Sequence, residues 1–315
     1  MPNRPMTATR KSNPCSRLSW PKVMRKVPVT LSRPTAARAN PSIIASSVLT
    51  GGSRDALALA DLEGDGSVEI IRGRDIVNAN GQLRCSGTGD GGGTQNYGYV
   101  PVIADIDLDG LQEIIAGRSV YDANCTIKMQ LNAAADGYSA VGNFDADDQA
   151  EIVLVSNGSF SATGRLYLFD DNGSVIFGPL PFLGGGALGP PSLANVDDDL
   201  YPEIGIAGRT SYVLFDHDGS VRWSQDIQDE SSNQTGSTSF DFEGDGKAEI
   251  VYADELNLRV FDGATGAVRM ILPNTSGTKK TDVVVPCSCS SRPRICISAR
   301  WPEDGGGMPH THQRR

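Results

Sequence analysis

Apolar residues in this chain fall in short runs separated by Gly, Asp and Asn, with almost none of the three-to-four spacing that marks a helix. One run precedes each of five acidic clusters: Ala56–Ala60, Val100–Ala104, Tyr138–Val141, Pro191–Ala194 and Ser237–Phe240. A second follows each cluster: Ile70–Ile71, Ile114–Ile115, Ile152–Val155, Ile204–Ile206 and Ile250–Tyr252. A third ends in a hairpin signal, Asp or Asn followed by Gly, as in Leu166–Gly173, Tyr212–Gly219 and Leu258–Gly266. A fourth closes the unit, as in Ser174–Phe177, Ser220–Trp223 and Ala267–Ile271. The pattern predicts repeats of four antiparallel strands.

The clusters are copies of one another. They place side-chain oxygens at Asp61, Glu63, Asp65 and Glu69; at Asp105, Asp107, Asp109 and Glu113; and at Asn143, Asp145, Asp147 and Glu151. The last two copies are Asn195, Asp197, Asp199 and Glu203, then Asp241, Glu243, Asp245 and Glu249. Each set occupies positions 1, 3, 5 and 9 of a nine-residue loop, and the loops start 44, 38, 52 and 46 residues apart. That period suits a four-stranded propeller blade. The expected fold is therefore all-β: a β-propeller of four-stranded antiparallel blades, five of them recognisable.

Oxygens at alternate positions of a tight turn can converge on one point. Positions 1, 3 and 5, a carbonyl near 7 and the Glu at 9 would give six or more hard ligands, which suits Ca²⁺ better than the tighter, more hydrated Mg²⁺ octahedron. These twenty positions are the candidate metal ligands, for up to five Ca²⁺. An EF-hand also begins with this spacing, but it needs Glu at position 12 and helices on both sides. Position 12 here is Arg72, Ala116, Leu154, Ile206 and Tyr252. The bland alternative is that acidic Asp/Gly turns need no metal. Asp105–Glu113 is the most complete loop. Asn143 and Asn195 lower the charge at position 1, Asp148 and Leu200 replace the position-6 Gly, and 195–203 is the weakest copy.

Charge sharpens the domain reading. The 315 residues carry 28 Lys and Arg against 38 Asp and Glu, a net charge of −10. Residues 1–40 hold nine basic residues and no acid, which leaves 36 acidic against 14 basic residues in 41–286. A general basic surface for nucleic acid is excluded. No apolar stretch is long enough to span a membrane. Residues 1–40, rich in Arg, Pro and Ser, are expected to be a disordered tail without a visible signal peptide. Residues 41–286 form the repeats. A sixth unit starts at Lys280–Pro286 without an acidic loop, so 287–315 is read as a non-propeller tail, disordered or frame-shifted. Its Cys287, Cys289, Cys296, His310 and His312 fit zinc spacing poorly.

The D-x-[DN]-x-D-G-x-x-[DE] element between two strands resembles the FG-GAP/VCBS repeat, found in integrin α propellers and many secreted or surface proteins. The resemblance covers about residues 50–286, with the name-giving tripeptides degraded to Ala116-Gly-Arg118 and Ala207-Gly-Arg209. It implies a propeller that is commonly seven-bladed, so that five units make an incomplete ring. It also implies Ca²⁺ in the loop joining the first two strands, and extracellular adhesion or binding of a protein or carbohydrate ligand. The enzymatic alternative is a rhamnogalacturonan-type polysaccharide lyase. A single histidine in the repeats, His217, and few basic residues offer little for that chemistry.

The remaining signals are local. Cys85 and Cys125 are the cysteines within the repeats, open either to a disulfide between neighbouring blades or to buried free thiols. Asn124, Asn157, Asn172, Asn233 and Asn274 head Asn-x-Ser/Thr triplets. Loops 86–99, 131–138, 156–165, 181–189 and 227–237 should share the face opposite the acidic loops. Their aromatic residues Tyr97, Tyr99, Tyr138, Phe160 and Phe182 either recognise a ligand or pack between blades.

Overall fold

A computed structural model describes residues 55–94, 98–133, 135–156, 164–182, 184–186, 188–229 and 235–274. The readings of both tails, of Tyr97 and of Phe160 lie outside these residues. Blade 1 is β1 (Ala58–Ala60), β2 (Glu69–Arg72), β3 (Asp75–Val77) and β4 (Leu83–Ser86). A two-stranded ribbon, β5 (Gly93–Thr94) with β6 (Gly98–Tyr99), follows it. Blade 2 is β7 (Val102–Ala104), β8 (Glu113–Ala116), β9 (Ser119–Tyr121) and β10 (Ile127–Gln130). Blade 3 is β11 (Gly137–Gly142), β12 (Glu151–Ser156), β13 (Arg165–Phe169) and β14 (Val175–Pro181). Blade 4 is β15 (Ser192–Ala194), β16 (Glu203–Ala207), β17 (Ser211–Phe215) and β18 (Val221–Asp226). Blade 5 is β19 (Thr238–Phe240), β20 (Glu249–Ala253), β21 (Asn257–Phe261) and β22 (Val268–Pro273). Each blade is an antiparallel meander in chain order, and no helix occurs among the described residues.

Successive blades stack face to face, so the second and third strands of blades 2, 3 and 4 are covered on both sides. This is why they read as unbroken apolar runs rather than alternating ones. In β12, Ile152 and Leu154 pack with Ile106, Ile115 and Val120 of blade 2, while Val153 and Val155 pack with Ile204, Ile206 and Phe215 of blade 4. Tyr212, Leu214 and Trp223 of blade 4 meet Ile250, Tyr252 and Phe261 of blade 5. The apolar residue at position 2 of each acidic loop is a plug in the contact with the next blade: Leu62, Ile106, Phe144 and Val196 are all buried there. Phe242 holds the same place after blade 5. With no described blade following, it is 41% exposed.

The third-to-fourth strand hairpins are also uniform. Gly81, Gly173, Gly219 and Gly266 take positive φ, and their N–H groups donate to the carbonyls of Asn78, Asp170, Asp216 and Asp262. Cys125 occupies the matching left-handed position in blade 2, at φ 61°, and forms a disulfide with Cys85 of blade 1. The pairing left open by the sequence is thus an inter-blade bond.

Candidate metal centres

In a meander, the first-to-second loop and the third-to-fourth hairpin lie at the same end of a blade. Each acidic loop therefore forms a corner with its own hairpin. The Glu at position 9 opens β2, β8, β12, β16 or β20 and is buried in all five blades. Its Oε2 accepts the N–H of the position-2 plug: Leu62 at 3.2 Å, Ile106 at 3.1 Å, Val196 at 2.8 Å, Phe242 at 3.0 Å, and likewise Phe144 onto Glu151. This carboxylate fixes the plug that locks one blade onto the next, and its second oxygen remains for the corner.

Positions 3 and 5 build a ladder of turns. Asp145 accepts the N–H of Asp147, whose own carboxylate accepts that of Gln149. Asp197, Asp199 and Tyr201 repeat the motif, as do Asp107, Asp109 and Leu111. One oxygen of each acid is spent on the backbone, and the second oxygens of Asp107 and Asp197 accept from Lys128 and Arg222.

Position 1 divides the loops into two kinds. Asp61, Asp105 and Asp241 accept the N–H of position 6, where Gly66, Gly110 and Gly246 stand at φ 89°, 92° and 95°. Asn143 and Asn195 instead donate to the position-5 carbonyls of Asp147 and Asp199, at 2.6 and 2.7 Å. Asp148 and Leu200 then suffice at position 6 without positive φ. The two departures noted in the sequence are one coupled change of closure rather than two defects.

Four corners bring three carboxylates to within 4.8 Å of one another: Asp105, Asp107 and Glu113; Asp145, Glu151 and Asp170; Asp197, Asp199 and Glu203; and Asp241, Glu243 and Glu249. Asp199 also meets Asp216 and His217 at this distance. Asp61, Glu63, Asp65 and Glu69 bring no three together, and Asp109, Asp147 and Asp245 stand outside their clusters. The hairpin acids Asp170 and Asp216 escaped sequence reasoning because an Asp before Gly is already accounted for as a turn former.

Buried oxygens without a hydrogen-bond partner, Asp105 Oδ1, Glu151 Oε1 and Glu203 Oε1, remain at three of the corners. Such atoms, in a set made only of oxygens, fit a hard divalent cation. Burial pushes the carboxyls of Glu151 and Glu203 up to about 7. The neighbouring charges of Asp145 and Asp147 add to the shift at Glu151. Burial also raises Glu113, against the pull of Lys128. Burial disfavours the Lys128 ammonium, but hydrogen bonds to Asp107 and Glu113 outweigh it and raise its pKa.

On the opposite face, Tyr138 and Phe182 are buried and pack as core. Tyr99 is half-buried with the Arg72 guanidinium over its ring at 5.9 Å. For Tyr138 and Phe182, packing rather than recognition is the outcome.

No family model and no curated protein matches the sequence. Among solved structures, the chain is similar to the V. cholerae biofilm matrix protein Bap1, at 17% identity and a TM-score of 0.61, over 73% of this chain and 63% of that one. It is also similar to rhamnogalacturonan lyase YesW, at 20% identity and a TM-score of 0.44, over 69% of this chain and 36% of that one. A lectin of Agrocybe aegerita matches at 16% identity and a TM-score of 0.43, over 70% of this chain and 67% of that one. These likenesses are of fold. The chain spans about 63% of the biofilm protein's length.

Proposed function

We propose that the chain is a calcium-binding propeller of the FG-GAP/VCBS type, acting outside the cell as a non-catalytic adhesion or ligand-binding module for a protein or carbohydrate. The observation that carries the metal part is the set of convergent carboxylate corners that retain buried, unpartnered oxygens. Calcium accepts all-oxygen sets of irregular shape, which these corners offer. The Cys85–Cys125 disulfide supports an oxidising compartment, and Asn124 and Asn172 stand exposed in hairpin turns. The fold shared with a biofilm matrix protein supports an adhesive role. Among the described residues, no helix is long and apolar enough to cross a membrane.

The thermal midpoint of the full chain, measured with millimolar Ca²⁺ and again with chelator, tests this reading. An ion that binds only the folded state must raise the midpoint. Equal midpoints would remove the calcium assignment. Unsaturated products released from pectic polymers would replace the binding module with a lyase.

A further inference from the structure

The five corners differ at one strand position. Three residues after the left-handed hairpin residue stand Arg84, Lys128, Ile176, Arg222 and Arg269 in successive blades. In four corners this side chain enters the space between the carboxylates. Lys128 Nζ lies 2.8 Å from Asp107 and 2.7 Å from Glu113 Oε1. Arg222 lies 2.6 Å from Asp197, 3.1 Å from Asp216 and 3.7 Å from Glu203 Oε1. Arg269 reaches Glu249 Oε1 at 2.9 Å and both Glu243 and Asp262 at 2.5 Å, and Arg84 pairs with Glu63.

Blade 3 has no such cation. Ile176 is 46% exposed, and among the described residues no Lys or Arg makes an ion pair with Asp145, Asp147, Glu151 or Asp170. Glu151 is fully buried, with Oε2 on the Phe144 N–H and Oε1 on no partner. Glu203 Oε1 also lacks a hydrogen bond, but Arg222 faces it.

We propose that the divalent ion binds preferentially at the third corner, between Asp145, Glu151 and the hairpin residue Asp170, while the other four corners hold the chain's own Arg or Lys in its place. This rests on the calcium reading and decides where the ion goes. A tethered cation competes for the same oxygens at an effective concentration in the millimolar range, so Ca²⁺ must displace a charged side chain in four corners and, in the third, only the neutral hydrogen bonds that Asn172 and Ser174 donate to Asp170 Oδ2. Asp170 contributes from a different strand connection, so binding there also ties the hairpin to the loop.

The experiment is calorimetric titration of the chelator-stripped full chain with Ca²⁺, together with thermal midpoints. One ion per chain should bind tightly in the wild type. Ile176→Arg, at an exposed site, should weaken that ion at least about tenfold and leave the midpoint in chelator unchanged or raised. Asp170→Asn should weaken it as well, and Lys128→Ile should add a second site. Four or five equal sites, with Ile176→Arg without effect, would overturn the preference and keep calcium. Absence of both heat and midpoint shift in the wild type would overturn the two together. Should Ile176→Arg misfold, as judged by its circular dichroism, Ile176→Lys carries the same expectation.

Discussion

Blades 1 and 2 are made from strands of three or four residues, whereas blades 3 to 5 use strands of five to seven except for β15 and β19. Their contacts differ to match. The first pair meets through Leu62, Ile71, Ile76, Ile114 and Tyr121, mostly single aliphatic side chains. Blades 4 and 5 meet through four rings: Tyr212 lies 5.7 Å from Trp223, 5.3 Å from Tyr252 and 5.8 Å from Phe261. The disulfide sits in the lean pair. Where short strands bury little apolar surface, a covalent bond restricting the unfolded chain takes over part of the work of packing.

The largest expected effect lies in the ring-rich half. Phe261→Ala should lower stability by about 3–5 kcal/mol, since it empties a fully buried site between two blades. Reducing the Cys85–Cys125 bond, which closes a separation of 40 residues, should cost about 2–4 kcal/mol. Hydrogen exchange after reduction should loosen blades 1 and 2 and leave blades 3 to 5 protected. Denaturant midpoints give both totals. A reduction cost under about 1 kcal/mol would mean that the lean pair packs well enough alone.

A third effect is pH-dependent and is carried most by the buried carboxyls of blades 3 and 4. Glu151 and Glu203, in blades 3 and 4, have folded-state values of about 7 against an ordinary 4.5. The folded state then holds protons that the unfolded state has released, so stability falls as pH rises from about 4.5 to about 7. The depressed acids Asp107 and Asp197 act below this window. In chelator the loss should be on the order of 3 kcal/mol for each of the two carboxyls. The double variant Glu151→Gln with Glu203→Gln keeps an oxygen for each plug N–H and should flatten the profile. Thermal midpoints from pH 4.5 to 8 check this, and an unchanged slope in the double variant would place the titration elsewhere.

Most of the blade plan was legible in the sequence because sandwiched strands announce themselves as unbroken apolar runs and hairpins as Asp or Asn before Gly. The third strands Asp75–Val77 and Ser119–Tyr121 gave weaker signals, since three residues are too few to show a period. Cys125 hid a hairpin by standing where Gly stands elsewhere. At the corners the acids were plain, but not their division of labour. Glu69, Glu113, Glu151, Glu203 and Glu249 hold backbone N–H groups as well as facing the corner, a partition set by three-dimensional closure. The cations Arg84, Lys128, Arg222 and Arg269 lie 15 to 21 residues beyond the acids of their loops that they hydrogen-bond or, for Arg222 and Arg269, 25 and 26 residues beyond. No local spacing connects them.

The smallest expected effects compare one hydroxyl in each half. Tyr212 Oη bonds Ser237 at 2.7 Å and lies 3.4 Å from Ser192, while the two serines are 2.6 Å apart. In Tyr212→Phe the serines still satisfy each other, and the ring stays packed among Trp223, Tyr252 and Phe261. The loss should be under about 1 kcal/mol. Tyr121 Oη donates to the Asp90 carbonyl at 2.7 Å, tying the segment between blades 1 and 2 to β9. Tyr121→Phe leaves that acceptor without its donor and should cost about 1–1.5 kcal/mol. Paired urea denaturation of the two variants reads the difference directly. If Tyr212→Phe proved the costlier, polar bonding rather than ring packing would hold the later blades together, and the contrast between the halves would reverse.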